Sequence, residues 1–444
     1  MSQDHPQIVL IGAGSAQFGY GTLGDIFQSE DLKQRKAHIV LHDINETTLT
    51  KVAKKGQEFI NSYDLPFTIS ATTSRKQALE GADFCIISIE VGNRFELWEQ
   101  DWRIPQQYGM RQVYGENGGP GGFFHSLRII PPILEICGDI TDICPDAFVF
   151  NFSNPMSRIC TTVHRKYPKL KFIGLCHEIS SLKKHLPKLL ETPLENIFFR
   201  AAGLNHFSVL LAVQRKDRGE DAYPEVLEKA PAYFETYIAP FVENNLPRRR
   251  SAGFVSPWYE RGVFRTILEK YHLLPITTDS HFGEYLSWAY DIADHKGILD
   301  FYDAYKKYVM QSEPKIELKL TERAIPIIEG ILNDAGFEET AVNIPNAGLI
   351  PDLPEFIAVE APAVVNKVGI HGIPIGNLLP KGFTGLLYNQ VAIHSMTAET
   401  VLTGSRDIAL QALLVDPIVD KVSAAEKMLD HILEVQKSYL GYIK

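Results

Sequence analysis

The stretch QIVLIGAGS, residues 7–15, runs from a short apolar segment straight into a glycine pair, Gly12 and Gly14, and then into a helix-compatible segment. A strand that turns into a helix at paired glycines aims backbone amides at whatever lies over the helix N-terminus, which suits a pyrophosphate. The third glycine of the usual G-x-G-x-x-G spacing is displaced: Gln17 holds its place and Gly19 follows two residues later. Support comes from a second apolar run, HIVLH at 38–42, which closes in Asp43. A carboxylate there accepts hydrogen bonds from adenosine ribose hydroxyls and disfavours a 2′-phosphate. Gly12, Gly14, Ser15 and Asp43 are therefore the expected NAD contacts. The alternative is a strand, turn and helix whose glycines serve only the turn.

Further apolar runs at 83–89, 147–152 and 171–176 alternate with amphipathic stretches. This pattern predicts an α/β fold with a Rossmann-like, doubly wound parallel sheet. Its strand ends, Glu90-Val91-Gly92, Ser153-Asn154-Pro155 and Cys176-His177-Glu178, are polar or glycine-bearing, and ligands of open α/β sheets bind at such ends. The expected division is an NAD-binding domain over 1–195 and a second, α+β domain over 196–444 for substrate, metal and oligomerisation. In the second half, helices are expected over 223–243, 284–310 and 318–334. The proline- and glycine-rich stretch 343–380 should be extended chain and turns, and residues 385–440 helical again.

The chain has 444 residues and a net charge of −10, from 44 basic and 54 acidic side chains. That balance opposes unspecific attraction to nucleic acid or anionic lipid. The opening MSQDHPQIVLIG lacks a charged leader and an apolar signal core, and no run of about 18 apolar residues occurs, so a cytoplasmic protein without a membrane partner is expected. Five cysteines without CxxC spacing argue against a disulfide framework. The basic run PRRRS at 247–251 reads as a solvated loop.

Three more segments carry chemistry. Cys176-His177-Glu178 and, thirty residues on, Asn205-His206 offer a thiolate and an imidazole to one crevice, although a buried thiol and a core histidine fit the spacing as well. Asn151 to Pro155 ends a strand in two amides suited to sugar hydroxyls or a carboxamide. Tyr114 to Gly122, YGENGGPGG, reads as a loop whose glycines let backbone approach a ligand, or as a flexible lid.

Taken together, GAGS at 12–15, GPGG at 119–122, FSNP at 152–155, CHE at 176–178, NH at 205–206 and NIPNAGLI at 343–350 resemble glycoside hydrolase family 4, the NAD- and divalent-metal-dependent glycosidases. The resemblance implies that Cys176 and His206 hold a metal ion, Mn²⁺ first, and that Arg94, Glu116 and Asn154 contact substrate. It implies that His177 is the acid or a substrate contact and Asp279 the base, with Tyr259 or His281 as replacements. CHE resembles the α-galacturonidase subgroup, for which Arg94, Arg249 or Arg265 would hold the uronate. Homodimers or homotetramers acting on small glycosides are implied too. Oxidation at C3 explains the redox cofactor: it makes C2–H acidic, so that elimination, water addition and hydride return sum to hydrolysis. Competing expectations are an NAD-dependent dehydrogenase of a sugar acid or 2-hydroxy acid, an α-glucosidase or α-glucuronidase of the same family, and a non-catalytic NAD sensor.

Overall fold

In β1 (Gln7–Ile11) successive side chains alternate between two cores: Ile8 and Leu10 join one apolar cluster, Val9 and Ile11 the other, and all four are buried. A strand covered on both faces has no polar face to offer, hence the unbroken apolar run. Each such side chain contributes about 1.5–3 kcal/mol on burial. The same division recurs in β4 (Phe84–Ile87), with Phe84 and Ile86 on one side and Cys85 and Ile87 on the other.

The computed structural model describes residues 5–15, 18–245, 257–311 and 313–444. Six parallel strands run β3 (Thr68–Thr72), β2 (His38–His42), β1, β4, β5 (Phe148–Asn151) and β6 (Lys171–Gly174) across the sheet. This is the doubly wound order, with its switch point between β1 and β4. Beyond β6 the sheet continues antiparallel through β11 (Phe337–Pro345), β12 (Ala358–Asn366), β7 (Ile197–Leu204), β8 (Phe207–Arg215) and β10 (Leu274–Pro275). Two short strands, β9 (Glu220–Asp221) and β13 (Gly369–Gly372), pair with β8 and β12. The seams are narrow: Asn343 of β11 stands opposite Gly174 of β6, and Glu360 of β12 opposite Gly203 of β7.

The second half differs from expectation: within 284–310 only His295–Gln311 is α-helix, preceded by the 3-10 turns Gly283–Tyr285 and Ser287–Asp291. Residues just after 195 form the β7–β8 hairpin rather than leading into helices, because IFFRAAGL and FSVLLAVQR are rich in aromatic and β-branched residues and meet at a two-residue turn, Asn205-His206. The C-terminal helices also return to the first half: Lys381–Thr403 packs on Met156–Lys166 and Gly119–Ile143. The proline- and glycine-rich stretch is extended, as expected, supplying β12, β13 and part of β11. Among the described residues no helix is long and apolar enough to cross a membrane.

Candidate active site

The glycine turn is built by close approach. Gly12 has φ +89°, and a Cβ there would lie 2.0 Å from the Ser88 carbonyl oxygen beyond β4. A Cβ on Gly14 would strike Thr48 and Asp43. Gly19, displaced in sequence, does the packing of the missing third glycine: its Cβ would meet the Ala13 carbonyl oxygen at 2.1 Å, so helix Phe18–Gln28 sits tight on the turn. The Ser15 carbonyl accepts from Gly19 N–H in the first turn of that helix. Asp43 accepts from Gly14 N–H at 2.8 Å through one oxygen and from Asn45 N–H at 2.8 Å through the other. Each oxygen keeps a lone pair for a further donor. Beside it Ile44 is 90% exposed, an apolar surface at the rim that the sequence reading passed over.

At the far strand ends, Cys176 Sγ lies 3.4 Å from His206 Nε2. A tetrahedral ion with bonds of about 2.3 Å to sulfur and about 2.1 Å to nitrogen would hold the two atoms about 3.6 Å apart, within a few tenths of an ångström of the spacing found. The donor set therefore fits a metal ion, and no third His, Cys, Asp or Glu completes a protein-only cage among the described residues. Two protein ligands leave positions open for substrate oxygens. Burial, with Glu178 and Glu360 nearby, pushes the Cys176 thiol well up, and burial pushes the His206 imidazole well down. A metal ion would reverse the first and suits the second.

From this pair a line of side chains runs outward. His281 stacks on His206 with ring centroids 4.5 Å apart, and its Nδ1 is 3.8 Å from Glu116 Oε2. The other Glu116 oxygen meets Arg94 Nη2 at 3.4 Å, and Arg94 Nη1 donates to the Tyr305 hydroxyl at 3.0 Å. Glu90 sits 3.7 Å from the same guanidinium. Asn154 leaves its side-chain oxygen buried without a partner, and so does His281 its Nδ1. Asn151, by contrast, turns inward, donating to the Ser153 carbonyl at 3.0 Å. His177, 66% exposed at its side chain, stands with Nδ1 3.5 Å from Glu322 Oε1. That partner pushes its pKa up to about 9. Its pocket is also lined by Lys183, Arg323 and Glu339.

Asp279 is placed differently from its expected role. It is fully buried, and its two oxygens accept from four backbone N–H groups: Gly262 at 2.7 Å, Val263 at 2.9 Å, Phe264 at 3.1 Å and Asp294 at 3.1 Å. It caps helix Gly262–Tyr271, and a carboxylate with about four acceptor positions has none left for a substrate proton. Tyr259 is likewise turned to packing, its hydroxyl donating to the Gly297 carbonyl. The residue of this stretch that reaches the site is His281.

The glycine-rich loop is a correction as well. Residues 112–122 are buried, and Glu284 gathers the backbone N–H groups of Glu116, Asn117 and Gly118 at 2.5, 3.0 and 3.1 Å. A Cβ on Gly121 or Gly122 would strike backbone at 2.6 or 2.2 Å, so these glycines are there for packing, not as a lid. Of the cations considered for a uronate, Arg265 pairs with Glu269 on its own helix and is half exposed, and Arg249 lies outside the described residues. Glu284, Glu322 and Lys183 were missed. The spacing Asp279, His281, Glu284 in DSHFGEY was the available signal for the first.

Residues 7–192 match the family model for family 4 glycosyl hydrolases, and residues 201–419 match the model of that family's C-terminal domain. An alpha-glucosidase of Erwinia rhapontici is 56% identical over 99% of both chains. An alpha-galacturonidase of Thermoanaerobacterium saccharolyticum is 28% identical over 98% of this chain and 96% of its own. A solved 6-phospho-alpha-glucosidase from gut microorganisms, in complex with NAD and Mn²⁺, shares the fold with a TM-score of 0.79 at 20% identity, covering 98% of this chain and 99% of its own. Strand order, strand-end site and sequence agree: this chain belongs to the family 4 glycosyl hydrolases.

Proposed function

We propose that the protein hydrolyses a neutral α-glucoside at the carboxyl ends of β4, β5 and β6, using NAD and a divalent metal ion, Mn²⁺ first. The observation that carries this is the Cys176–His206 pair, 3.4 Å apart at the end of the series His281, Glu116, Arg94. Gly12, Gly14, Ser15 and Asp43 would hold the cofactor, with Ile44 exposed next to Asp43. Cys176 and His206 would hold the metal. When bound, NAD supplies a reversible hydride acceptor and the metal a Lewis acid for adjacent sugar oxygens.

The protein's own part is to orient the sugar and move protons. Arg94 and the Asn154 amide direct hydroxyl groups. His281, with an unpartnered Nδ1 at the site, takes the C2 proton, and Glu116 at 3.8 Å compensates the charge it gains. His177, kept protonated by Glu322, donates to the departing glycosidic oxygen. The site is taken to work in a cytoplasmic homodimer or homotetramer.

The choice of sugar rests on charge. Glu178 and Glu322 flank His177, while Arg323 is held by Glu339 at 2.7 and 2.9 Å and Arg94 lies between Glu90 and Glu116. Each of these arginines already faces a carboxylate, so a desolvated uronate would compete with Glu339, Glu90 or Glu116 for its cation. The E. rhapontici relative points the same way. A galacturonide is the second reading, favoured by CHE at 176–178 and by Lys183 in the same pocket. With NAD⁺, Mn²⁺ and a thiol reductant, kcat/KM for α-linked glucose disaccharides should exceed that for digalacturonate by about 100-fold, the cost of burying a poorly paired carboxylate. The reverse preference would reinstate the galacturonide. No NADH should accumulate during turnover, whereas a net dehydrogenase would build it up.

A further inference from the structure

Glu360, on β12, is wholly buried, outside every motif that marked the site, and both its oxygens are occupied. Oε1 accepts from Asn205 Nδ2 at 2.9 Å and from Asn343 Nδ2 at 3.4 Å, and Oε2 accepts from the Ser208 hydroxyl at 2.7 Å. Asn205 and Ser208 flank His206, so the carboxylate grips the β7–β8 turn from both sides. That turn carries His206 at φ +62°, the left-handed region that few residues other than glycine adopt.

Metal-binding imidazoles are usually oriented by a hydrogen bond from the other ring nitrogen. Here His206 Nδ1 is buried without any hydrogen-bond partner. The ring is aimed through its backbone instead. Ser157 Oγ accepts from Asn205 N–H at 3.0 Å, the Tyr285 hydroxyl donates to the Asn205 carbonyl at 3.3 Å, and the Glu360 carboxylate fixes the Asn205 side chain. One residue steadied by Glu360, Asn205, thus directly precedes the ligand His206. Glu360 stands opposite Gly203 at a seam of the sheet, where a Cβ on Gly203 would meet the Phe207 carbonyl oxygen at 2.5 Å. The whole device is thus assembled only when β12 docks on β7.

We infer that Glu360 is a positioning residue for the metal pair, setting the distance between Cys176 Sγ and His206 Nε2 through Asn205 and Ser208. The inference rests on the assignment of Cys176 and His206 as the metal ligands.

Its test is Mn²⁺ binding to the NAD⁺-loaded full chain, read as free Mn²⁺ by electron paramagnetic resonance, with NAD⁺ affinity measured alongside. Glu360→Gln keeps the shape but replaces one acceptor oxygen by a donor facing Ser208. It should raise the Mn²⁺ Kd by about 10- to 100-fold, the usual effect of removing an outer-shell partner, and leave the NAD⁺ Kd within about twofold. A folded Glu360→Gln protein with wild-type Mn²⁺ affinity overturns the inference. Should that variant lose NAD⁺ binding and not fold, Asn205→Ala cuts the same link from the turn side, and wild-type Mn²⁺ affinity in it would overturn the inference equally. Cys176→Ser separates the two claims: if it retains Mn²⁺ affinity the ligand assignment fails, whereas loss there with no effect of Glu360→Gln removes only the positioning role.

Discussion

Cys176→Ser should abolish glycoside cleavage, lowering kcat/KM by at least about a thousandfold while NAD⁺ still binds. The sulfur lies 3.4 Å from His206 Nε2, and a hydroxyl in its place is a poor, uncharged donor that leaves the imidazole as the only firm ligand. Loss of the Lewis acid that a bound metal ion would supply removes several kcal/mol of stabilisation, and each 1.36 kcal/mol corresponds to about tenfold in rate. Chelation of the wild type should produce the same loss, restored by Mn²⁺. Mn²⁺ should restore nothing in the variant. Activity of Cys176→Ser near the wild-type level after metal stripping would remove the thiolate from the site.

The second large effect is on stability. Asp279→Asn replaces a carboxylate that accepts four buried backbone N–H bonds by an amide with one acceptor oxygen and a donor pointing at other donors. The expected loss is about 2–4 kcal/mol, because buried groups left without partners cost about 1–3 kcal/mol each. Chemical unfolding monitored by near-UV dichroism measures it. The folded fraction should still exchange solvent deuterium into C2 of the product, since Asp279 is not the base in this account. Unchanged stability with vanished exchange would give the base role back to Asp279 and take it from His281.

The doubly wound half was legible because periodicity and strand-end residues agree there: QIVLI and HIVLH are buried on both faces, and their ends carry Gly12, Gly14 and Asp43. β3 was not, since TISAT is a polar, largely exposed edge strand with no apolar run to announce it. The β7–β8 hairpin was hidden by its turn, Asn205-His206, which lacks the glycine that marks most such turns. In the site, residues next to strand ends were readable from position alone. Glu284 and Glu360 were not, because each is buried and acts through backbone or amide groups more than 100 residues away in sequence. Asp279 shows the opposite failure: a carboxylate beside a histidine reads as chemistry until its four backbone donors are visible.

The most direct test of the central claim, oxidation followed by elimination at these strand ends, is turnover of an α-glucoside in D₂O with NAD⁺ and Mn²⁺, followed by NMR of the released sugar. Deuterium is expected at C2, because the proton removed there enters a side chain that exchanges with solvent before the reverse addition. Product with protium fully retained at C2 would mean direct displacement at C1 and would contradict it.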